Sequence, residues 1–453
     1  MLKILMGLLF MQENMFHVDG LCCYIKYLNV GIQNIIKPRQ PITSFWELHM
    51  FIGLYRDAIN GLPNKIIFLI YIVAFSFSAL ALKNFQGLLL LEKYGYSLDM
   101  IGYLIALFGL GAIFGTWLAG SMLKMLQYYT VIFIMLALCS IGPLIILIFN
   151  EKYSAVIGLF LFSVFANGVR PSFQVALSTS VTDGLKRKEA YTLYRIMINI
   201  GSASGMLIGG LLTEISYELL LFYSLAMLVL TSLLCHFTFR HKISIETYIS
   251  VNNNLPSTTN SQENHKKNEF LFLLISVSLF SFSMFQLYSF LPVYIVNTIG
   301  LSKSFYGTLP ILNLFILIAF ELYLVRVMHA YSVYVSGILG SMLMSISYIM
   351  LSFSISSELY VYLFYGVFSL AISLYFPSIM NAINKFEKDN SNVSFIVRYQ
   401  YSMDFIVIIG PAISSLIISL FNIKALWLIC SASAFCSFII LLMLSRPTTE
   451  GNI

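Results

Sequence analysis

This sequence has little charge. Only 10% of its 453 residues are Asp, Glu, Lys or Arg, and 59% are hydrophobic. A soluble globule of that composition could not keep its surface wetted, so the soluble classes are excluded. Six cysteines give no framework: Cys22 and Cys23 are adjacent, and Cys139, Cys235, Cys430 and Cys436 lie inside or at the ends of apolar runs. Neither metal-ligand spacing nor paired extracellular thiols appear, and all six read as packing residues. There is no phosphate-binding glycine loop with its lysine, which removes direct ATP hydrolysis. For want of a metal cluster or a nucleophile beside a base, no enzyme is expected, and no cofactor.

What is present is long apolar runs. A membrane span needs roughly 20 mostly apolar residues to cross about 30 Å of hydrocarbon. Twelve such runs occur, near 66–91, 100–123, 129–149, 154–181, 190–212, 217–239, 270–296, 304–327, 331–353, 357–383, 396–420 and 423–445. The expected class is an all-α integral membrane protein of twelve transmembrane helices.

The second half of the chain repeats the first. Gly95-Tyr96-Ser97 followed by Gly102 returns as Gly300-Leu301-Ser302 followed by Gly307, Pro171-Ser172 as Pro377-Ser378, and Gly205-Met206 as Gly410-Pro411. The offsets are 205, 206 and 205, the mark of an internal duplication and of transporters built from two membrane halves. On this reading residues 1–60 are a cytoplasmic extension, 61–239 and 270–446 are six-helix bundles, 240–269 is a polar cytoplasmic linker, and 447–453 is a cytoplasmic tail. The apolar run Leu2–Met11 is too short to span. Met15 and Met50 are alternative starts.

Lys and Arg are retained on the cytoplasmic side. If the first span runs outward, Lys3, Lys26, Lys37, Arg39, Arg56, Lys65, Lys124, Lys186, Arg187, Lys188, Arg195, Arg240, Lys242, Lys266, Lys267, Arg326, Lys385, Lys388, Arg398 and Arg446 fall inside, and only Lys93, Lys152, Lys303 and Lys424 fall outside. Both termini are then cytoplasmic. Topology accounts for the net charge of +6, and no nucleic-acid partner is needed.

Four ionisable residues lie within spans: Lys83, Arg170, Glu321 and Asp404. An intramembrane charge is a functional-site hypothesis by default. Both cations are in the first half and both acids in the second, so a cavity between the halves would be polarised, suiting a zwitterionic or amphiphilic substrate. Glu321 and Asp404 are the candidates for carrying protons. The bland readings are that Lys83 snorkels outward, that Arg170 satisfies a carbonyl freed by Pro171, and that Glu321 pairs with Arg326. Gly201, Gly205 and Gly209 share one helix face, with Gly210 beside it, and Gly410-Pro411 repeats the pattern. Such a face is either static packing or a sliding contact between halves.

These features resemble the major facilitator superfamily, in particular its bacterial drug and metabolite efflux branch. The resemblance covers roughly residues 55–445. It is carried by Tyr55-Arg56-Asp57 through Leu62-Pro63, by Phe108-Gly109-Leu110-Gly111 with Gly115 and Gly120, by Arg170-Pro171, and by the Gly201–Gly210 stretch, which resembles a glycine-rich antiporter motif with Met206 at the usual proline. The resemblance implies a monomeric transporter of the bacterial cytoplasmic (inner) membrane, exporting a small amphiphilic compound in exchange for protons. An uncoupled facilitator or metabolite importer is the alternative, and a transport-inactive sensor or scaffold is the alternative of another class. It also implies a substrate wall from the first, fourth, seventh and tenth spans, with Lys83, Asn84, Gln86, Asn167, Arg170, Gln174, Gln286, Tyr288, Tyr294, Tyr365, Tyr375 and Asn381 as candidates. One departure stands out. Where the family places an aspartate and a glycine after the second span, this chain has Lys124 and Gln127. Lys124, Gln127, Asp404 and Arg398 are the gate candidates, and a charge-swapped Lys124–Asp404 latch is expected to close the cytoplasmic side in the outward-facing state.

Overall fold

The structure is a computed structural model. It describes residues 62–180, 184–239, 262–328, 334–353, 355–390 and 394–445. Twelve long helices are seen among them: α1 (Asn64–Lys93), α2 (Leu98–Leu123), α3 (Tyr128–Phe149), α4 (Lys152–Ser180), α5 (Gly184–Ile215), α6 (Tyr217–Phe239), α7 (Gln262–Phe285), α8 (Lys303–Met328), α9 (Val335–Ser352), α10 (Glu358–Asn390), α11 (Ser394–Leu420) and α12 (Ile423–Leu444). Eleven are long and apolar enough to cross a membrane over their described residues. The twelfth, α8, fills the remaining place, with side chains described only as far as Leu317.

Several helices run past the apolar stretches. α5 begins at Gly184 and α10 continues to Asn390, because a helix of good formers does not end where the hydrocarbon does. For the same reason α7 starts at Gln262, inside the segment expected to be linker. The remainder of that linker, the 1–60 extension and the 447–453 tail lie outside the described residues.

The first helix of each half is not continuous. α1 breaks at Leu80–Ala81, resumes at Leu82–Leu88 and closes with a π-helical turn, Leu89–Lys93. After Phe285, α7 breaks into turns, resumes at Leu291–Val293 and closes with the π-helical turn Tyr294–Thr298. Leu89 and Tyr294 are 205 residues apart, so the duplication extends to the backbone. So do the glycines that follow: Gly95 at φ 64° and Gly300 at φ 83° make the turn into the next helix in the left-handed region, which a side chain disfavours.

The halves meet through a matched pair of contacts. A Cβ on Gly102 of α2 would lie 2.6 Å from the Pro411 carbonyl oxygen and 2.4 Å from Ser415 Cβ on α11. A Cβ on Gly307 of α8 would lie 2.5 Å from the Met206 carbonyl oxygen and 3.1 Å from Gly210 Cα on α5. All three residues of one contact map onto the other by the offset of 205. These backbone approaches supply packing that hydrophobicity cannot supply between helices in lipid.

The glycine face of α5 thereby divides. Gly201 and Gly205 pack inside their own half, where a Cβ would lie 2.3 Å from the Ala74 and Ser78 carbonyl oxygens of α1. Gly209 faces Phe85 and Leu220, also within that half. These three are static packing, and Gly210 alone of the four faces the other half. Gly410 meets side chains of its own half at ordinary distance, while Pro411 belongs to the contact across.

Candidate functional site

Among the described residues, the helix pairs that pack extensively across the halves are α2 with α11, α5 with α8, and the end of α1 with the resumed segment of α7. Their polar contacts crowd at one face. Glu92, in the π-helical turn of α1, pairs with Lys303 of the other half at 2.6 Å. Tyr217 Oη donates to Glu92 Oε2 at 2.8 Å, and Asn297 Nδ2 donates to Glu92 Oε1 at 3.3 Å. The Lys303 ammonium also lies 4.6 Å from the centre of the Tyr217 ring. Glu214 accepts from the Ser304 backbone N–H at 2.9 Å, and Ser415 Oγ donates to the Asp99 carbonyl. Lys93 pairs with Glu218 at 2.5 Å within the first half. This Glu92 face is latched.

Among the described residues, α4 and α10 take no part in the extensive contacts across the halves. Arg170, within α4, is exposed, and Tyr288, at the break in α7, is 38% exposed although it is mid-span in sequence. Arg170 and Tyr288 belong to different halves, yet the charge of one reaches the other, so both border a shared space between the halves.

Its wall takes shape at the helix break. Lys83, two residues past the break in α1, has no hydrogen bond or ion pair among the described residues. Asn84 and Gln86 are 8% and 3% exposed and have no side-chain hydrogen bond there either. The Arg170 guanidinium lies over the Phe77 ring of α1 at 5.9 Å, and Tyr194 Oη donates to the Arg170 carbonyl at 3.4 Å. The charge of Arg170 reaches both Lys83 and Tyr288, and Tyr288 in turn neighbours Tyr306 and Tyr365. Lys83 and Tyr288 are equivalent by the 205 offset. The first half thus presents cations where the second presents phenols. An uncompensated cation at the membrane centre costs about 3 kcal/mol on insertion scales.

The remaining wall candidates are engaged elsewhere. Tyr375 stacks on Phe280 at 3.6 Å and bonds Ser276, fully buried inside the second half. Tyr294 donates to the Leu351 carbonyl at 3.1 Å and packs edge-on against Trp427. Gln286 donates to the Phe282 carbonyl and accepts from Ser289, so it braces the α7 break. Asn167 donates to the Ser163 carbonyl at 2.8 Å along α4. Gln174 is exposed nearer the Lys124 face. The side chains of Glu321 and Asn381 lie outside the described residues.

Asp404 sits on the α11 face turned to α2, one turn beyond Ile408, which packs against Gly109. Lys124, exposed with Arg398, caps α2 fifteen residues past Gly109. At 1.5 Å per residue that places Lys124 about 16 Å along the axis from Asp404. The two do not meet here. Gln127 precedes α3 as its cap residue.

The model of the Major Facilitator Superfamily matches residues 67–390. The chain belongs to the major facilitator superfamily. No curated protein matches it. Among solved structures it is similar to the POT family transporter PepTSo, at 13% identity and a TM-score of 0.68 over 85% of this chain and 98% of that one. It is similar as well to a peptide transporter of the POT family in complex with sulfate (13%, TM-score 0.70, 85% and 94%) and to the nucleoside transporter NupG (13%, TM-score 0.66, 84% and 100%). At such identities the likeness shows the fold alone. Membership makes this superfamily chain a multi-pass membrane transporter rather than an enzyme.

The Glu92 cluster escapes a reading that weighs only cations by side. The signal was available, since Glu92 and Asn297 are a pair in the duplication and now touch.

Proposed function

We propose that this chain is a secondary transporter that exports a small amphiphilic compound in exchange for protons by alternating access, and that the conformation described faces the cytoplasm. The observation that carries this reading is the contrast between a polar latch with glycine contacts at the Glu92 face and an exposed Arg170 and Tyr288 deeper between the halves. The cation bias of the sequence puts the Lys124 face in the cytoplasm and both termini with it. The compound binds among Lys83, Asn84, Gln86, Arg170 and Tyr288, and the latch must open for release to the other side. Asp404 supports the coupling step, since it is a carboxylate within a span, one turn from Ile408, which packs against Gly109 of α2. Gating at the Lys124 face falls to Lys124, Gln127, Arg398 and Asp404 once the halves have rocked to the outward-facing state.

The test is proton flux in liposomes loaded with a pH dye, with a panel of amphiphiles as probes. Wild type is expected to move protons when a transported amphiphile is added, and Asp404→Asn to lose at least about 90% of that flux, since one group would carry the coupled proton. Movement of the amphiphile with no proton flux in wild type contradicts the coupling and leaves a facilitator. No movement of any panel member contradicts transport and favours a sensor or scaffold.

A further inference from the structure

Two cations near one another between the halves, with no ion pair among the described residues, call for an account. Lys83 has no hydrogen bond or ion pair among the described residues, and there the Arg170 side chain meets the face of Phe77 and the neighbouring Tyr194 with no ion pair. Asn84 and Gln86, nearly buried, also have polar groups unspent. The duplication does not supply a counter-charge, because the position equivalent to Lys83 is Tyr288. Carboxylates of the first half that could have served are committed at the Glu92 face: Glu92 to Lys303 and Glu218 to Lys93. Such charges persist in low dielectric when something pairs with them, and like charges sharing a cavity raise the cost of leaving both unpaired. Lys83 lies ten residues before Lys93 at the Glu92 end of α1, about 15 Å along the helix axis.

We infer that the central cavity is an oxyanion site, in which Lys83 and Arg170 clamp the carboxylate, or the equivalent sulfate or phosphonate group, of an amphiphilic substrate whose apolar body lies against Phe77 and Tyr288. The planar guanidinium over Phe77 still presents its edge donors to an oxyanion, and the ammonium supplies a second, mobile point charge. Asn84 and Gln86 offer further donors, while the phenol of Tyr288 can donate from the facing half. This narrows the proposed transporter to anionic cargo and rests on that reading for the cavity's role.

The experiment uses the full chain in nanodiscs and three probes of one shape: 1-naphthoate, 1-naphthamide and 1-naphthylmethylammonium, with sodium sulfate against sodium chloride at equal ionic strength. Thermal unfolding and titration are the readouts. Naphthoate is expected to raise the unfolding midpoint saturably, and the amide and ammonium are not. Lys83→Gln and Arg170→Gln are each expected to weaken naphthoate at least about tenfold, as loss of one buried charge partner does. Lys83→Arg should retain most of the affinity, and Lys424→Gln, on the exposed Glu92 face, should change nothing. Removing an unpaired cation is further expected to leave the ligand-free midpoint of Lys83→Gln equal to or above wild type, which a purely structural lysine would not do. A sulfate effect lost in the same variants supports the clamp and dispenses with the apolar body. The clamp is overturned if the ammonium stabilises as well as naphthoate, if both variants bind naphthoate like wild type, or if neither naphthoate nor sulfate binds. Flux separates the two readings. Naphthoate that binds but is never carried sinks the transporter and leaves the clamp, whereas carried cations sink the clamp and leave the transporter.

Discussion

Gly115→Val yields no folded protein. A Cβ at Gly115 of α2 would lie 1.7 Å from the Val164 carbonyl oxygen of α4, 2.6 Å from its carbonyl carbon and 3.1 Å from its Cα. All three neighbours are backbone, so no flexible side chain can swing aside, and α2 and α4 would have to part along their shared length. Overpacking of this kind costs at least about 3 kcal/mol, a large share of the stability of one domain. Gly120→Val is the matched control, five residues on in the same helix, with nothing within 4 Å of its Cβ position. It should stay within about 0.5 kcal/mol of wild type. Monodispersity and the unfolding midpoint in detergent check both, and a Gly115→Val protein that behaves like Gly120→Val contradicts the packing.

Lys303→Glu opens the Glu92 face. The substitution removes the 2.6 Å ion pair, sets two carboxylates against one another, and takes a cation from the Tyr217 ring. Because both partners keep some exposure, solvent screening reduces the effect to about 1.5 kcal/mol, roughly a tenfold shift between the conformations. The rate at which a membrane-impermeant maleimide added on the Glu92 side labels a cysteine at position 84 should rise by that factor, in a background without the natural cysteines. Combining Lys303→Glu with Glu92→Lys restores the pair and should recover most of the shift. It cannot recover all, because Tyr217 and Asn297 donate to a carboxylate at position 92. An unchanged rate in Lys303→Glu contradicts the latch.

How much of this was legible in the sequence depends on the interaction concerned. Periodic apolar runs and the 205-residue offset are properties of the chain itself, and they correctly gave the twelve helices and their two halves. The offset even aligned features that hydropathy misses, since Gly95 and Gly300 share the left-handed turn and Leu89 and Tyr294 begin equivalent π-helical turns. Partners were another matter. Gly201, Gly205 and Gly210 look alike in sequence, yet two face their own half and one faces across, because a helix face is divided by neighbours that only the fold supplies. Tyr375 and Tyr288 are likewise both aromatics on expected wall helices. One is sealed against Phe280 and Ser276 while the other reaches the cavity, and no pattern in the chain separates them. The Lys124–Asp404 latch belongs to an outward-facing conformation, and a separation of about 16 Å along the axis in the conformation described does not decide it.

The central claim is that the two ends open in alternation. Spin labels at Met100 and Phe421 would report the Glu92 face, and labels at Met125 and Tyr401 the Lys124 face, all four being exposed in the structure. Distances are measured by pulsed electron resonance in liposomes for wild type and Lys303→Glu. Alternating access predicts that the first distance lengthens in the variant and the second shortens in the same proportion of molecules. A first distance that lengthens while the second stays fixed, or a single unchanging distance at both faces, would contradict it.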